Sequence, residues 1–357
     1  PRTNVTSTDS FYVKPNITSI SPNYGLVGSS VTITGTKFTG ATSVKIGTDT
    51  VQSYVVNSET SITAVVSSIN RNGKITVTTP WGSSVSSDSF VVTPVITSFS
   101  PTSGIVGSTV VIKGSKFSSL TSVKINGVNV SSYTISGDTS ISAVLSSTNT
   151  TGKLSVSVLR GTVTTSDSFR VIPSITSFSP TTATYGTSVV INGTSFTGAT
   201  SVKIGADTVQ SYVVNSSVKI TAVVSTNNKT GKISVTTASG TGTSADSLYV
   251  VSKISSISPN YGKVGDTVIL TGASFTGASA VKLDGVNVQS YAVLSDDSIR
   301  AVISTSNTTG KITVTTIAGT GTSTDSFYVT PTITSITPSS GIVGSSFVIK
   351  GTKFKVI

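Results

Sequence analysis

The sequence predicts an all-β protein, a row of tandem β-sandwiches arranged as an extended rod, and three observations carry that prediction. A block of 79 residues recurs without insertion or deletion across most of the 357-residue chain. Within the block, apolar and polar residues alternate with a period of two, and no helical period appears. The composition is rich in Ser, Thr, Val and Gly, with 36% hydrophobic and 10% charged residues. Such a chain fits pleated, half-buried surfaces and has too much apolar content and too little charge to stay disordered.

The repeat is strict. Pro22, Pro101, Pro180, Pro259 and Pro338 are each 79 residues apart, as are Gly35, Gly114, Gly193, Gly272 and Gly351. Phe38, Phe117, Phe196, Phe275 and Phe354 keep the same step, and so do Asp9, Asp88, Asp167, Asp246 and Asp325. Four full repeats follow: 15–93, 94–172, 173–251 and 252–330. Residues 1–14 match the final strand of a repeat, and residues 331–357 match the first half of another.

The elements of residues 15–93 can be read in order. Ile17 to Ser21 is a first strand, and Ser21-Pro22-Asn23-Tyr24-Gly25 is a turn, where Pro sets φ and Gly accepts φ > 0. Val31 to Gly35 alternates as the next strand. Val44-Lys45-Ile46 follows and is closed by Gly47-Thr48-Asp49. Val51 to Val56, Ile62 to Val66 and Lys74 to Thr78 continue, and Ser89 to Val92 ends the block. About seven short strands at this spacing are the signature of an immunoglobulin-like sandwich. Its expected core is Ile17, Val31, Ile33, Phe38, Val44, Ile46, Ile62, Ala64, Ile75, Val77 and Phe90. Seven alternating strands put the loops near Tyr24, Gly47 and Asn70 at one end, and those near Phe38, Ser58 and Trp81 at the other. Successive repeats, joined by short Pro-containing links at Pro94, Pro173 and Pro331, then meet through these two sets of loops.

Composition narrows function. The chain has no Cys, His or Met. Disulfides, thiolate and imidazole metal sites, Cys nucleophiles and the Ser-His-Asp triad are therefore excluded. The expectation is a protein that is not an enzyme and carries no cofactor. The formal net charge is +11, but no basic run of five residues exists, so dispersed Lys reads as edge protection rather than a nucleic-acid track. No stretch approaches the length of a membrane span. A chain without Cys or Met resists oxidation, which points to an extracellular, surface location.

The run Ile17-Thr18-Ser19-Ile20-Ser21-Pro22-Asn23-Tyr24-Gly25, then Gly28, Val31-Thr32-Ile33-Thr34-Gly35, Phe38 and Val44, resembles the opening of an IPT/TIG domain. It returns at Ile96 to Val123, Ile175 to Val202 and Ile254 to Val281. The resemblance implies an immunoglobulin-like fold found in Rel-type transcription factors, plexin-like receptors, some starch-degrading enzymes and bacterial surface proteins. Tandem, Ser/Thr-rich, Cys-free arrays are most similar to the last group. The function expected is therefore a bacterial cell-surface structural protein, a stalk or a filament subunit. The alternative is an adhesin that binds glycan or a host surface through exposed loops.

Candidate residues follow from both readings. Trp81, the only Trp, and Tyr24 are candidate glycan or subunit contacts. Thr6, Phe11 and Val13, with Ile333, Ile336, Phe347, Ile349 and Phe354, are candidate assembly strands for head-to-tail self-association, unless they continue a longer array. The recurring Asp of the Ser/Ala-Asp-Ser motif is expected in a strand-initiating turn, its side chain bonding nearby N–H groups. Asp284, Asp296 and Asp297 make the fourth repeat the most acidic, which reads as a solvated loop before a cation site. Asn149, Asn228 and Asn307 open N-glycosylation sequons, but they also read as turn residues before Gly.

Overall fold

A computed structural model of the chain describes residues 8–354. The first repeat contains nine strands, two more than the sequence suggests. They are β1 (Asn16–Ser21), β2 (Tyr24–Gly25), β3 (Ser30–Thr36), β4 (Ser43–Ile46), β5 (Asp49–Thr50), β6 (Ser53–Ser58), β7 (Ser61–Val65), β8 (Gly73–Thr79) and β9 (Gly82–Val92). The two additions, β2 and β5, are two-residue edges that alternation cannot reveal. One sheet runs β1-β3-β7-β6 and the other β2-β9-β8-β4-β5. All pairs are antiparallel except β2 with β9, where Tyr24 and Gly25 lie beside Val91 and Val92. The same two sheets recur in the other three repeats.

Alternation dictates what lies between the sheets. Every core residue expected in the first repeat is buried, and Ile20, Val51, Val66 and Val92 join them. Phe38 and Phe90 are wholly enclosed, as are Phe117, Phe169, Phe196, Phe275 and Phe327. The recurring Gly35 has a packing cause. A Cβ there would lie 2.0 Å from the Asn16 carbonyl oxygen and 2.4 Å from the Phe38 ring, so only Gly lets β1 cross β3 beside that ring. The five recurring prolines all follow cis peptide bonds.

The protein divides into two compact units, residues 1–172 and 173–357, each holding two full repeats. In each unit the last strand of one repeat leads directly into the first strand of the next, as in β9 to Val95–Ser100. Beyond the fourth repeat, Thr332–Thr337 pairs with Val348–Thr352 in the register that β1 and β3 use.

Candidate functional site

The chemistry-bearing residues cluster at the two ends of each sandwich. The end where β1 starts carries the loops after Thr36, Ser58 and Thr79. The opposite end, where β9 finishes, carries the loops after Ser21, Ile46 and Val65.

Inside the first unit these two sets of loops meet. Asn72 donates to Ser119 Oγ at 2.9 Å, and Lys116 Nζ donates to the Ser68 carbonyl at 2.7 Å. Lys116 sits at φ 63°, a left-handed turn that aims its side chain from the second repeat at the first. The second unit builds the equivalent joint from different groups. Lys229 Nζ lies 2.9 Å from the Asp297 carboxylate and 3.5 Å from that of Asp296. Lys253 Nζ sits 5.5 Å above the Tyr185 ring. Burial pushes the Tyr185 phenol above its ordinary 10.0, against the pull of the neighbouring Ser274 hydroxyl. Burial also raises the Asp296 carboxyl, but the Thr276 hydroxyl and N–H, the Lys229 ammonium and the Ser274 N–H outweigh it and hold it below 3.8. The hydrogen bond to Asp297 holds Lys229 above 10.5. The acidic loop of the fourth repeat thus faces a cation of the third, and Asp284 is separate from it, bonded to Thr308.

Trp81 and Tyr24 lie at opposite ends of the first repeat, separated by the length of β9. Trp81 stacks on Tyr12, ring centroids 5.9 Å apart and planes 22° from parallel, while the Lys14 side chain runs over Gly82. Both rings keep an open face, with Trp81 43% and Tyr12 62% exposed. Tyr24 is also exposed and pairs only through its backbone. Phe11 and Val13 are exposed beside the stack, and Thr6 falls outside the described residues. Ile333, Ile336, Phe347, Ile349 and Phe354 are exposed on the two-stranded piece that ends the described chain.

One reading of the sequence needs correction. The recurring Asp does not start a strand in a turn; it lies within β9 at a bulge opposite β8. What recurs is its carbonyl, which accepts the Ser86 hydroxyl at 2.6 Å, while Ser86 Oγ accepts the Ile75 N–H at 2.9 Å. Thr165, Ser244 and Ser323 repeat that relay, and the Asp88 side chain stays exposed. The bulge leaves backbone groups unpaired in the interior, and a buried hydroxyl satisfies them. The sequon Asn side chains serve as turn residues, as the sequence also reads them, and not as surface acceptors. Asn149 is 2% exposed, and its amide accepts from Ser146 N–H and donates to the Val128 and Asn129 carbonyls. Asn70, Asn228 and Asn307 do the same. Among the described residues no group of three or more His, Cys, Asp or Glu gathers as a metal site, and no helix is long and apolar enough to cross a membrane.

Tandem two-sheet domains of this topology, docked loop to loop, define a class of immunoglobulin-like repeat protein. The chain belongs to the IPT/TIG domain family, whose model matches residues 15–92, 94–171, 173–251 and 252–329. No curated protein matches it. Among solved structures it is similar to one determined with xylogluco-oligosaccharide, at 19% identity over 74% of each chain, with a TM-score of 0.35. The surface glycan-binding protein PbSGBP-B from Prevotella bryantii shares 20% identity over 44% of this chain and 42% of its own, with a TM-score of 0.30. The plexin A4 extracellular region shares 16% identity over 84% of this chain and 29% of its own, with a TM-score of 0.24. The chain thus spans less than half the length of the last two, and these likenesses are of fold alone.

Proposed function

We propose that the protein is a non-catalytic component of a bacterial cell surface, in which IPT/TIG domains act as stiff spacers in a stalk or fibre. The observation that supports this most is the pair of polar joints. In each unit, loops of one repeat bond to loops of the next, and no flexible linker separates them. The Cys- and Met-free, hydroxyl-rich composition supports an exposed, oxidising location. A second reading, contact with glycan, has its own observation: Trp81 and Tyr12 present adjacent, half-open rings of the kind that stack on sugar faces.

Small-angle scattering of the whole chain tests the spacer. A rigid array gives one extended distance distribution that does not change with ionic strength. A distribution that broadens into a flexible ensemble overturns it.

A further inference from the structure

The four repeats differ at one place that the joints do not touch, the seam where the first strand of a sandwich lies beside its last. In the first repeat the Ile17 N–H donates to Ser84 Oγ across this seam at 3.0 Å. In the third and fourth repeats the position of Ser84 is Gly242 and Gly321. There the first strand comes so close that a Cβ would lie 2.1 Å from the Pro173 carbonyl oxygen and 1.9 Å from that of Ser252. The second repeat has Val163 at this position. Its branched side chain packs against the core, stands where the neighbouring strand would approach, and offers no hydroxyl to the Ile96 N–H. Ile96 is accordingly only half-buried, whereas its equivalents Ile17, Ile175 and Ile254 are buried.

The seam of the second repeat opens into a groove of about 590 Å³, within the range of small-ligand sites. Its lining includes Thr97, Ser98, Phe99, Asp167, Ser168 and Arg170. One of these, Arg170, is particular to this repeat. Arg170 stands where the others have Val91, Tyr249 and Tyr328, whereas Phe99 is shared with the third repeat as Phe178 and replaces Ile20 and Ile257 of the first and fourth. Arg170 is exposed and forms no ion pair among the described residues. Its backbone is fixed, since its N–H donates to the Thr102 carbonyl at 3.0 Å. Asp167 and Arg170 are three residues apart on one strand, about 10 Å, roughly the length of two pyranose rings.

We infer that this groove binds an acidic oligosaccharide, with Arg170 taking a sugar carboxylate, Asp167 and the Ser and Thr hydroxyls taking ring hydroxyls, and Phe99 lying against an apolar sugar face. A guanidinium matches a carboxylate with two parallel N–H donors. The carboxylate of Asp167, which only accepts, suits hydroxyl donors at the other end. The inference deepens the glycan reading but places the contact in the second repeat, not at Trp81.

The test is calorimetric titration of the whole chain with trigalacturonic acid, and with maltotriose as its neutral counterpart. Trigalacturonic acid binds, and maltotriose binds at least about tenfold more weakly, the loss expected for one charge-assisted bidentate contact. Arg170→Val, which installs the residue of the first repeat, lowers affinity for the acid by the same factor. Val163→Gly and Val163→Ser, the residues of the other repeats, let the seam close and abolish binding without altering any polar lining group. Trp81→Ala changes nothing. Absence of binding to the wild-type chain, or affinity indifferent to both Arg170→Val and the Val163 variants, overturns the proposal. Equal affinity for maltotriose overturns its acidic part. Loss on Trp81→Ala with binding kept in the Val163 variants overturns the groove and leaves the glycan reading at the aromatic pair.

Discussion

The interior of a repeat and the joints between repeats obey different rules. In the interior the same groups return every 79 residues: Gly35 under the Phe38 ring, the hydroxyl relay of Ser86 (Thr165 in the second repeat) across the bulge, the Asn70 amide beneath its loop. Each fills a place where nothing else fits or bonds, so the repeat is held to it. At the joints the loops occupy the same places but the chemistry changes. Lys116 reaches a main-chain carbonyl in one unit, while Ser274 lies at the equivalent position in the other, beside Tyr185. Arg71 in the first unit has Lys229 as its counterpart in the second, and only Lys229 holds an ion pair. The topology determines where the ends meet, and half-exposed polar groups are free to vary in how they meet.

The sharpest way to break this contrast is to remove an interior ring. Phe169 is wholly buried between the sheets of the second repeat. Phe169→Ala leaves a cavity that no disulfide can offset and costs about 3–5 kcal/mol. Calorimetric melting of the full chain then resolves one early transition from the rest. A melt that stays unsplit and unshifted shows that repeats are not held by their own cores.

A smaller loss should follow from the buried amide. Asn149→Ala strands the Ser146 N–H and the Val128 carbonyl and leaves the Asn129 carbonyl with the Ser146 hydroxyl alone, at about 2–3 kcal/mol, because buried groups are left unpaired. Asn149→Asp keeps an acceptor for Ser146 but no donor for the carbonyls, so it should be no more stable. If denaturant melts show either variant within about 0.5 kcal/mol of wild type, the amide is not a fixed element of the interior.

The fold was almost wholly legible because the repeat exposes it. Alternation identified the whole expected core, and strand count parity placed Tyr24 and Trp81 at opposite ends. What stayed hidden has a physical cause in each case. The two-residue strands β2 and β5 are too short to alternate. The relay of Ser86 is a hydroxyl in a Ser-rich chain, and the Asp two residues on drew attention by its charge although only its carbonyl is used. The Tyr12–Trp81 stack joins residues 69 positions apart. The groove was hidden for another reason: Val163 is an ordinary strand residue, and it stands out only when aligned with Ser84, Gly242 and Gly321.

The smallest expected effect separates the two joints by pH. In the second unit Lys229, Asp296 and Asp297 are partly exposed, with side-chain exposures of 38%, 29% and 53%, so Lys229→Ala costs less than about 1 kcal/mol. The sign of the pH effect follows from the shifts. Asp296 is held below 3.8 in the folded state, so its contribution is complete above that value and is lost as acid carries it through the depressed pKa. Lys229 is held above 10.5, so its contribution is complete below that value and is lost as base carries it through the raised one. Tyr185 in the same joint is held above 10.0 by burial, so its contribution is complete below that value, and between 3.8 and 10.0 the joint is indifferent to pH. The inter-repeat bonds of the first unit run from Lys116 to a carbonyl and from Asn72 to a hydroxyl, and neither acceptor titrates in acid; the nearby carboxylate, Asp138, bonds Ser118 N–H within its own repeat. Hydrogen exchange at the loops 225–229 and 295–298, referenced to 67–72 at the same pH, should therefore show equal protection ratios from pH 5 to 9. Only the second joint should loosen below the ordinary carboxylate range, and Asp296→Asn with Asp297→Asn should remove that difference. Parallel loosening of both joints in acid would mean that they are held by the same main-chain contacts, and that the ion pair is an ornament of the surface.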